Sequence, residues 1–419
     1  MTRATLDAVA KAAGVSRATA SRALSGSGSV ASDTAERVRA AAAKLNFTPH
    51  QAAQALAGAK AGAVALVIPE PDSLVLGDPF LSLVIRGISD GFHGSSYQVM
   101  LLIVHPDEPV EKLAGRLRPG VVDGAIVVSQ HGSSELADLL AESGVPVVFI
   151  GRPWVSVDEQ SGQTWPFVDV DNWLVGQLAA ERLISREARN IACIAGPVDM
   201  NPVRDRLAGW RQTLEENGLE PGPIAHGPFT RQGGEEAMRL VLAADPTIDA
   251  VFAQSDLMAA GALVALRQAG DLPGVRQTGQ WPLIGRQSVE DPASADRQAF
   301  SGDEGPFGRV SPGDAGLVAH IVADGGSAGS GHFASTGRIP LPDRTAPAAD
   351  SESAVLLVSV DNSDIATSTT PTLTSVTNPG AELAKRASRI LLRLIEDGVA
   401  PSEVAPEVIR PALVVRASG

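Results

Sequence analysis

From Gly62 onward, short β-rich runs alternate with helical stretches, and this alternation restricts the body of the chain to parallel sheets joined by crossover helices. Strands are expected at 62–68, 98–104, 124–128, 146–150, 191–195, 250–253 and 354–360. Helical patterns separate most of them, at 80–91, 134–143, 175–185, 206–217, 234–243 and 258–269. In open α/β sheets of this kind, ligands bind beyond the carboxyl ends of the strands. The residues that follow each strand are therefore the first candidates for function.

The chain has 419 residues, 44% apolar and 20% charged, which suits two or three globular domains. No apolar run approaches the ~18–20 residues of a membrane span, and the first residues lack the apolar core of a secretory signal. A single cysteine, Cys193, rules out an internal disulfide framework, so the expected location is the reducing cytoplasm, at the nucleoid. The net charge is −14, but residues 1–60 hold eight Lys/Arg against three acids, leaving +5 there and −19 on the remainder. A small basic module on a large acidic body fits a protein that meets phosphates at one end.

That module reads as three helices. Leu6, Val9, Ala10 and Ala13 recur at helical spacing, and Gly14 ends the first helix. Ser16 can cap a second helix over 17–24, in which Ala18, Ala20 and Ala23 limit bulk. A third is expected at 33–45, with Ser32 as N-cap and Asp33 and Glu36 in its positive first turn. Two short helices joined by a tight glycine turn, then a supporting helix, make a helix-turn-helix.

The run from Thr5-Leu6-Asp7 through Val15-Ser16-Arg17-Ala18-Thr19-Ala20-Ser21-Arg22 to Ser25-Gly26 resembles, without gaps, the DNA-binding signature of the lactose/galactose repressor (LacI/GalR) family. The resemblance implies that Arg17, Ala18 and Arg22 face the major groove. Each arginine can offer a bidentate fork to guanine, and Ala18 can touch a thymine methyl. Thr5, Leu6, Ser16, Thr19 and Ser21 complete the candidate DNA surface, the hydroxyls as phosphate contacts. Residues 46–58 carry Pro49 at a helix start and Gly58 at its end, too short a helix to be stable alone. They resemble the family's hinge helix, with Leu56 as the minor-groove wedge and Ala53 allowing close approach of the partner's hinge.

The body, over 61–270 and 354–417, resembles the periplasmic-binding-protein-like core of the same family, two Rossmann-like parallel-sheet subdomains around a cleft. Carried over position by position, the effector candidates are Phe80, Arg152, Asp171, Arg206, Ser255, Asp256 and Asp361. Phe80 offers a ring face for a sugar, and the Arg206 fork suits paired hydroxyls or a carboxylate. Three positions depart from the family: Val360-Asp361-Asn362, Ser255-Asp256 and Arg186-Glu187-Ala188-Arg189. Between 275 and 352 the pattern breaks. That stretch holds 12 Gly, 7 Pro and 8 Ser in 78 residues and is expected to be a largely irregular surface excursion.

Signals for catalysis are weak. Gly87-Ile88-Ser89-Asp90-Gly91 and Gly325-Gly326-Ser327-Ala328-Gly329 match the nucleophile-elbow spacing, but neither sits at a strand-to-helix turn. The histidines show no metal-ligand spacing. The expected organisation is an all-α helix-turn-helix domain at 1–48, a hinge at 49–60 and an α/β effector-binding and dimerisation domain at 61–419. The expected activity is repression. A homodimer binds a palindromic double-stranded DNA operator under control of a small, sugar-like effector, with no cofactor, metal, membrane or enzymatic step. The rival expectation is an intracellular sugar sensor acting through protein contacts. Arg22→Ala with Leu56→Ala separates the two, because only a DNA regulator loses operator affinity.

Overall fold

The computed structural model describes residues 5–25, 30–45, 47, 60–105, 110–132, 134–154, 165–269, 271–272, 275–276 and 355–419. The hinge candidates Ala53 and Leu56, and all but the first two residues of the 275–352 stretch, lie outside the described residues.

Three N-terminal helices, α1 (Leu6–Ala13), α2 (Arg17–Ser25) and α3 (Ser32–Lys44), pack around their own small core of Val9, Ala10, Ala13, Ala20, Ala23, Val38 and Ala42. Thr5 caps α1, its hydroxyl accepting from the Ala8 N–H at 3.3 Å. Gly14 takes a left-handed φ of 67°, and its N–H and that of Val15 close back on the Lys11 and Ala10 carbonyls. This is a Schellman stop, which glycine adopts without a Cβ penalty. Ser16 then caps α2 by accepting from the Thr19 N–H at 3.1 Å. The third cap differs from expectation: Ser32 is the first helical residue and Ala31 the cap, its carbonyl starting the helix with no side-chain bond.

The chain forms two compact units, the first comprising 1–171, 199–202 and 379–410, the second 172–198, 203–378 and 411–419. In the first, β1 (Ala63–Ile68), β2 (Gln98–Ile103), β3 (Gly124–Val128), β4 (Val147–Ile150), β5 (Phe167–Val170) and β13 (Glu407–Ile409) form one parallel sheet in the order β13-β5-β4-β3-β1-β2. Its helices are α4 (Asp72–Gly77), α5 (Pro79–Gly91), α6 (Val110–Ala114), α7 (Ser134–Glu142) and the late α13 (Gly380–Glu396). Both faces of β1 are buried: Val64, Leu66 and Ile68 join the core under α5 and α13, while Ala63, Ala65 and Val67 join the core that includes Leu117, Leu136 and Leu140. A strand covered on both sides reads as a continuous apolar run.

Helices α5 and α13 approach closely at Gly87 and Gly91, one turn apart on α5. A Cβ at Gly87 would stand 2.4 Å from the Ala381 carbonyl oxygen, and one at Gly91 would stand 2.5 Å from the Ser388 Cβ. The nucleophile-elbow spacing at 87–91 is thus a helix-packing pattern, with Ser89 exposed between its two contact points.

The second unit repeats the plan with α8 (Asn172–Ser185), β6 (Ile191–Ala195), α9 (Asn201–Glu216), β7 (Ile224–His226), α10 (Arg231–Ala244), β8 (Ala250–Ala253), α11 (Asp256–Ala269), β11 (Leu356–Asp361), α12 (Asp364–Ser368), β12 (Thr374–Thr377) and β14 (Leu413–Val414). Sheet order is β14-β12-β11-β8-β6-β7, parallel except for β14 against β12. A two-residue antiparallel ladder, β9 (Asp271–Leu272) with β10 (Val275–Arg276), follows α11. All seven expected body strands and all six expected helices are present, with ends moved by a few residues. In each sheet the second strand flanks the first while the third lies on the first strand's other side. Strand order therefore reverses between β1 and β3 in the first unit and between β6 and β8 in the second. Crevices for ligands form outside the carboxyl ends at such switch points.

Candidate functional site

The first candidate surface is one face of α2. Arg17, Ala18, Ser21 and Arg22 are exposed, while Ala20 and Ala23 are buried in the three-helix core. Positions i, i+1, i+4 and i+5 share a helical face, so the core contacts themselves aim these four outward. Arg17 lies 3.7 Å from the Asp7 carboxylate, both side chains exposed, and Arg22 Nε donates to the Ala18 carbonyl at 3.3 Å. The Ser16 and Thr19 hydroxyls bond each other at 2.8 Å, and Leu6 packs half-buried against the core. Thr5 and Ser16 thus serve the fold as caps at the places where the sequence suggests phosphate contacts.

At the switch point of the first unit, Glu70 follows β1 and Ser129 and His131 follow β3. Ser129 takes a left-handed φ of 61°, uncommon for a residue with a Cβ, and turns the chain sharply. Its hydroxyl donates to Glu70 Oε1 at 2.6 Å, where His131 Nε2 also arrives at 3.0 Å. The other ring nitrogen, Nδ1, lies 2.9 Å from Asp199 Oδ2. Asp78 caps α5 by accepting from the Phe80 N–H at 2.8 Å. Burial, helped by the Glu70 charge and opposed by that N–H, raises the Asp78 carboxyl to about 6. Phe80 itself packs half-buried beside the α13 N-terminus, its ring placed 3.1 Å from where a Gly380 Cβ would stand. Arg152, after β4, donates its main-chain N–H to the buried Asp169 at 2.9 Å, and Asp171 ends the unit's first segment with its N–H on the Ile409 carbonyl at 3.0 Å.

At the switch point of the second unit, Arg206 is buried at 5% exposure. Its Nε donates to Asn172 Oδ1 and its Nη1 to the Gln254 carbonyl, both at 2.8 Å. Close packing of α8 on α9 sets that geometry: a Cβ at Gly176 would lie 2.0 Å from the Arg206 carbonyl oxygen. Asp361, at the end of β11, has a φ of 104°, a strained value for a residue with a Cβ, and its carboxylate accepts from Asn378 Nδ2 at 3.1 Å. Backbone strain of this kind gathers at ligand sites.

Ser255 and Asp256 turn inward instead. Ser255 caps α11 by accepting from the Met258 N–H at 3.1 Å. The buried Asp256 carboxylate accepts from the hydroxyls of Ser359, Ser363 and Ser375 and from the Ser363 N–H at 2.6–2.8 Å. Burial pushes its carboxyl upward against those four donors, which occupy its acceptor sites and make it a brace between β11, β12 and α11.

Sequence reasoning missed Glu70, His131 and Asp199, which no local spacing links. It also missed Phe229, whose ring packs on Gly196 after β6 so tightly that a Cβ there would lie 2.2 Å from Cζ. Cys193 is fully buried, and burial drives its thiol far above the ordinary range, so it is inert core. Among the described residues no cluster of His, Cys, Asp and Glu is arranged to hold a metal ion, and no helix is long and apolar enough to cross a membrane.

The profile of bacterial regulatory proteins of the lacI family matches residues 5–50, and that of the periplasmic binding proteins and sugar binding domain of the LacI family matches 61–287. The chain belongs to the LacI family. A third profile, a periplasmic binding protein-like domain, matches 353–419. The HTH-type transcriptional regulator CelR of Thermobifida fusca is 38% identical over 270 residues, 64% of this chain and 78% of CelR. The maltose regulon regulatory protein MalI of Escherichia coli is 32% identical over 273 residues, 64% of this chain and 76% of MalI. Among solved structures, a CelR–cellobiose complex is 29% identical, covers 100% of both chains and has a TM-score of 0.62. The lac repressor dimer bound to operator and an anti-inducer shares the fold at TM-score 0.67 and 20% identity, over 100% of this chain and 99% of the repressor. This LacI-family protein is a DNA-binding transcriptional regulator and not an enzyme.

Proposed function

We propose that this LacI-family regulator is a homodimeric repressor of a palindromic operator, released or secured by a neutral sugar, with cello-oligosaccharides as the first class of effector. The exposed Arg17–Ala18–Ser21–Arg22 face carries the DNA half of the reading. Arg17 and Arg22 fork onto guanines and Ala18 meets a thymine methyl. Thr5, Ser16, Thr19 and Ser21 set register on phosphates, Leu6 supports them, and Leu56 and Ala53 act in the hinge. The assigned organisation is DNA binding at 1–48, hinge at 49–60 and effector binding at 61–419, in the cytoplasm at the nucleoid.

The sugar half rests on the strand-end residues of each unit and on the 38% identity to CelR, whose solved relative holds cellobiose. Arg206 and Asp361 are the leading contacts, Phe229 the stacking face, Arg152, Asp171 and Phe80 further contacts, and Ser255 and Asp256 supports. Pairing of two copies is supported by β2. Among the described residues it is the last strand of its sheet, and it exposes Val99, Met100 and Leu101 at 40, 36 and 43%. An exposed apolar edge strand invites another chain, and a second copy covers it in a closed, symmetric way.

Linkage gives the coupling: a sugar shifts operator affinity only as far as it binds the two states of the body differently. A double dissociation tests the reading. Arg22→Ala with Leu56→Ala is expected to weaken operator binding at least 100-fold and leave cellobiose affinity within twofold, while Arg206→Ala does the reverse. Loss of both activities in either variant, with the fold intact, would remove the assignment.

A further inference from the structure

His131 joins two carboxylates that arrive from chain positions 61 and 68 residues away. A carboxylate oxygen facing a ring nitrogen can only accept, so a ring that bonds Glu70 and Asp199 together donates from both nitrogens. That species is the imidazolium. Burial works against its charge, but the hydrogen bonds to Asp199 and Glu70 and their charges outweigh burial and hold the His131 proton up to about 10. The same bond from His131 keeps the Asp199 carboxyl below its usual range. The titratable groups facing the ring are Glu70 and Asp199, with Asp78 behind Glu70.

The neighbouring atoms repeat the grip. The Gly132 N–H donates to the Asp199 carbonyl at 2.8 Å. Two residues on, Asn201 Nδ2 donates to the carbonyls of Arg152 and Pro153 at 3.2 and 3.0 Å. Residues 199–202 group with the first unit although the stretches on either side of them, 172–198 and 203–378, group with the second. They are thus tied to the loops after β3 and β4, beside the switch point of the first sheet.

We infer that the His131 imidazolium is a positioning residue that fixes the 199–202 segment against the strand ends of the first unit, and that effector affinity depends on its charge. The affinity clause rests on the sugar site proposed above; the clamp stands by itself. Removing the charge leaves Glu70, itself only 6% exposed, opposed to Asp199, and the segment is released.

Three variants of the full chain, His131→Gln, Asp199→Asn and the two combined, test this at pH 7.5 and 5.5. In the wild type the His131 ring nitrogens give imidazolium shifts by NMR from pH 7 to 8.5, and in Asp199→Asn the ring titrates at a clearly lower pH. Hydrogen exchange at Gly132 and over Asp199–Asn201, corrected for intrinsic rates, is expected to rise at least tenfold in His131→Gln at pH 7.5, with cellobiose affinity falling about tenfold. Both recover toward wild type in the double variant, where one carboxylate is gone, and in part at pH 5.5, where Asp78 behind Glu70 takes up its proton. A neutral His131 at pH 7.5, unchanged exchange, or losses that neither acid nor Asp199→Asn relieves would overturn the inference. If the wild type binds no cellobiose, the sugar assignment fails, and the titration and exchange results alone support or overturn the clamp.

Discussion

Asp78 shows how one capping carboxyl sets a pH dependence. Its ordinary value is ~3.9, and burial with the Glu70 charge raises it to about 6 in the folded chain. The folded state therefore holds this proton more tightly than the unfolded state, so the contribution is complete below the ordinary value and is lost as pH rises through 6. Asp78→Asn keeps an oxygen for the Phe80 N–H and removes the charge. It is expected to gain on the order of 1 kcal/mol at pH 7.5 and nothing at pH 4, read by urea unfolding at the two values. Equal stability at pH 7.5 would mean that ionising Asp78 costs the fold nothing. His131 has the same sign over a higher window: its contribution is complete below ~6.5 and lost as pH rises through about 10. Arg206 was named from the sequence through the family resemblance, ahead of Leu207-Ala208-Gly209-Trp210, and the structure places it within α9 rather than at its start, bonded to Asn172 and Gln254. Glu70, His131 and Asp199 were not legible in the sequence, because Glu70 and Asp199 stand 61 and 68 positions from His131 and no local spacing links them.

At the scale of elements, apolar runs were enough to place β1 to β4, β6, β8 and β11: β1, β3, β4, β6 and β8 are buried along their whole length, while β2 kept its apolar run although most of it is exposed. The late helix α13 was missed although Leu383, Ala384, Ala387, Ile390, Leu391 and Leu394 form a clear buried stripe. It follows a stretch of Thr, Ser and Pro that reads as loop, and its partner α5 lies about 300 positions earlier in the chain. The same pairing explains the glycines of α5. Gly87→Ala drives a methyl onto the Ala381 main chain and is expected to cost about 2–3 kcal/mol, whereas Ser89→Ala, on the exposed face, stays within about 0.5 kcal/mol. Thermal melts of the two variants check this. A mild Gly87→Ala with a damaging Ser89→Ala would contradict the packing account.

For the whole molecule, the charge split between a basic N-terminal module and an acidic body was visible from composition alone, and the family resemblance turned it into an operator-binding protein. Pairing was not visible residue by residue, because β2 reads as an ordinary strand until the sheet order shows it at an edge. Leu101→Lys at that edge is expected to raise the dimer dissociation constant at least tenfold in sedimentation velocity, and to weaken operator binding with it, since two half-sites are read by two copies. Unchanged association would move the interface elsewhere.

The most direct test of the account is a selection of DNA from a random pool by the purified full chain, followed by a salt series and a cellobiose titration on the selected sequence. The account predicts an inverted repeat, log affinity falling linearly with log salt, and a change in operator affinity on adding the sugar. Enrichment of no sequence, with only weak salt-sensitive binding, would contradict it.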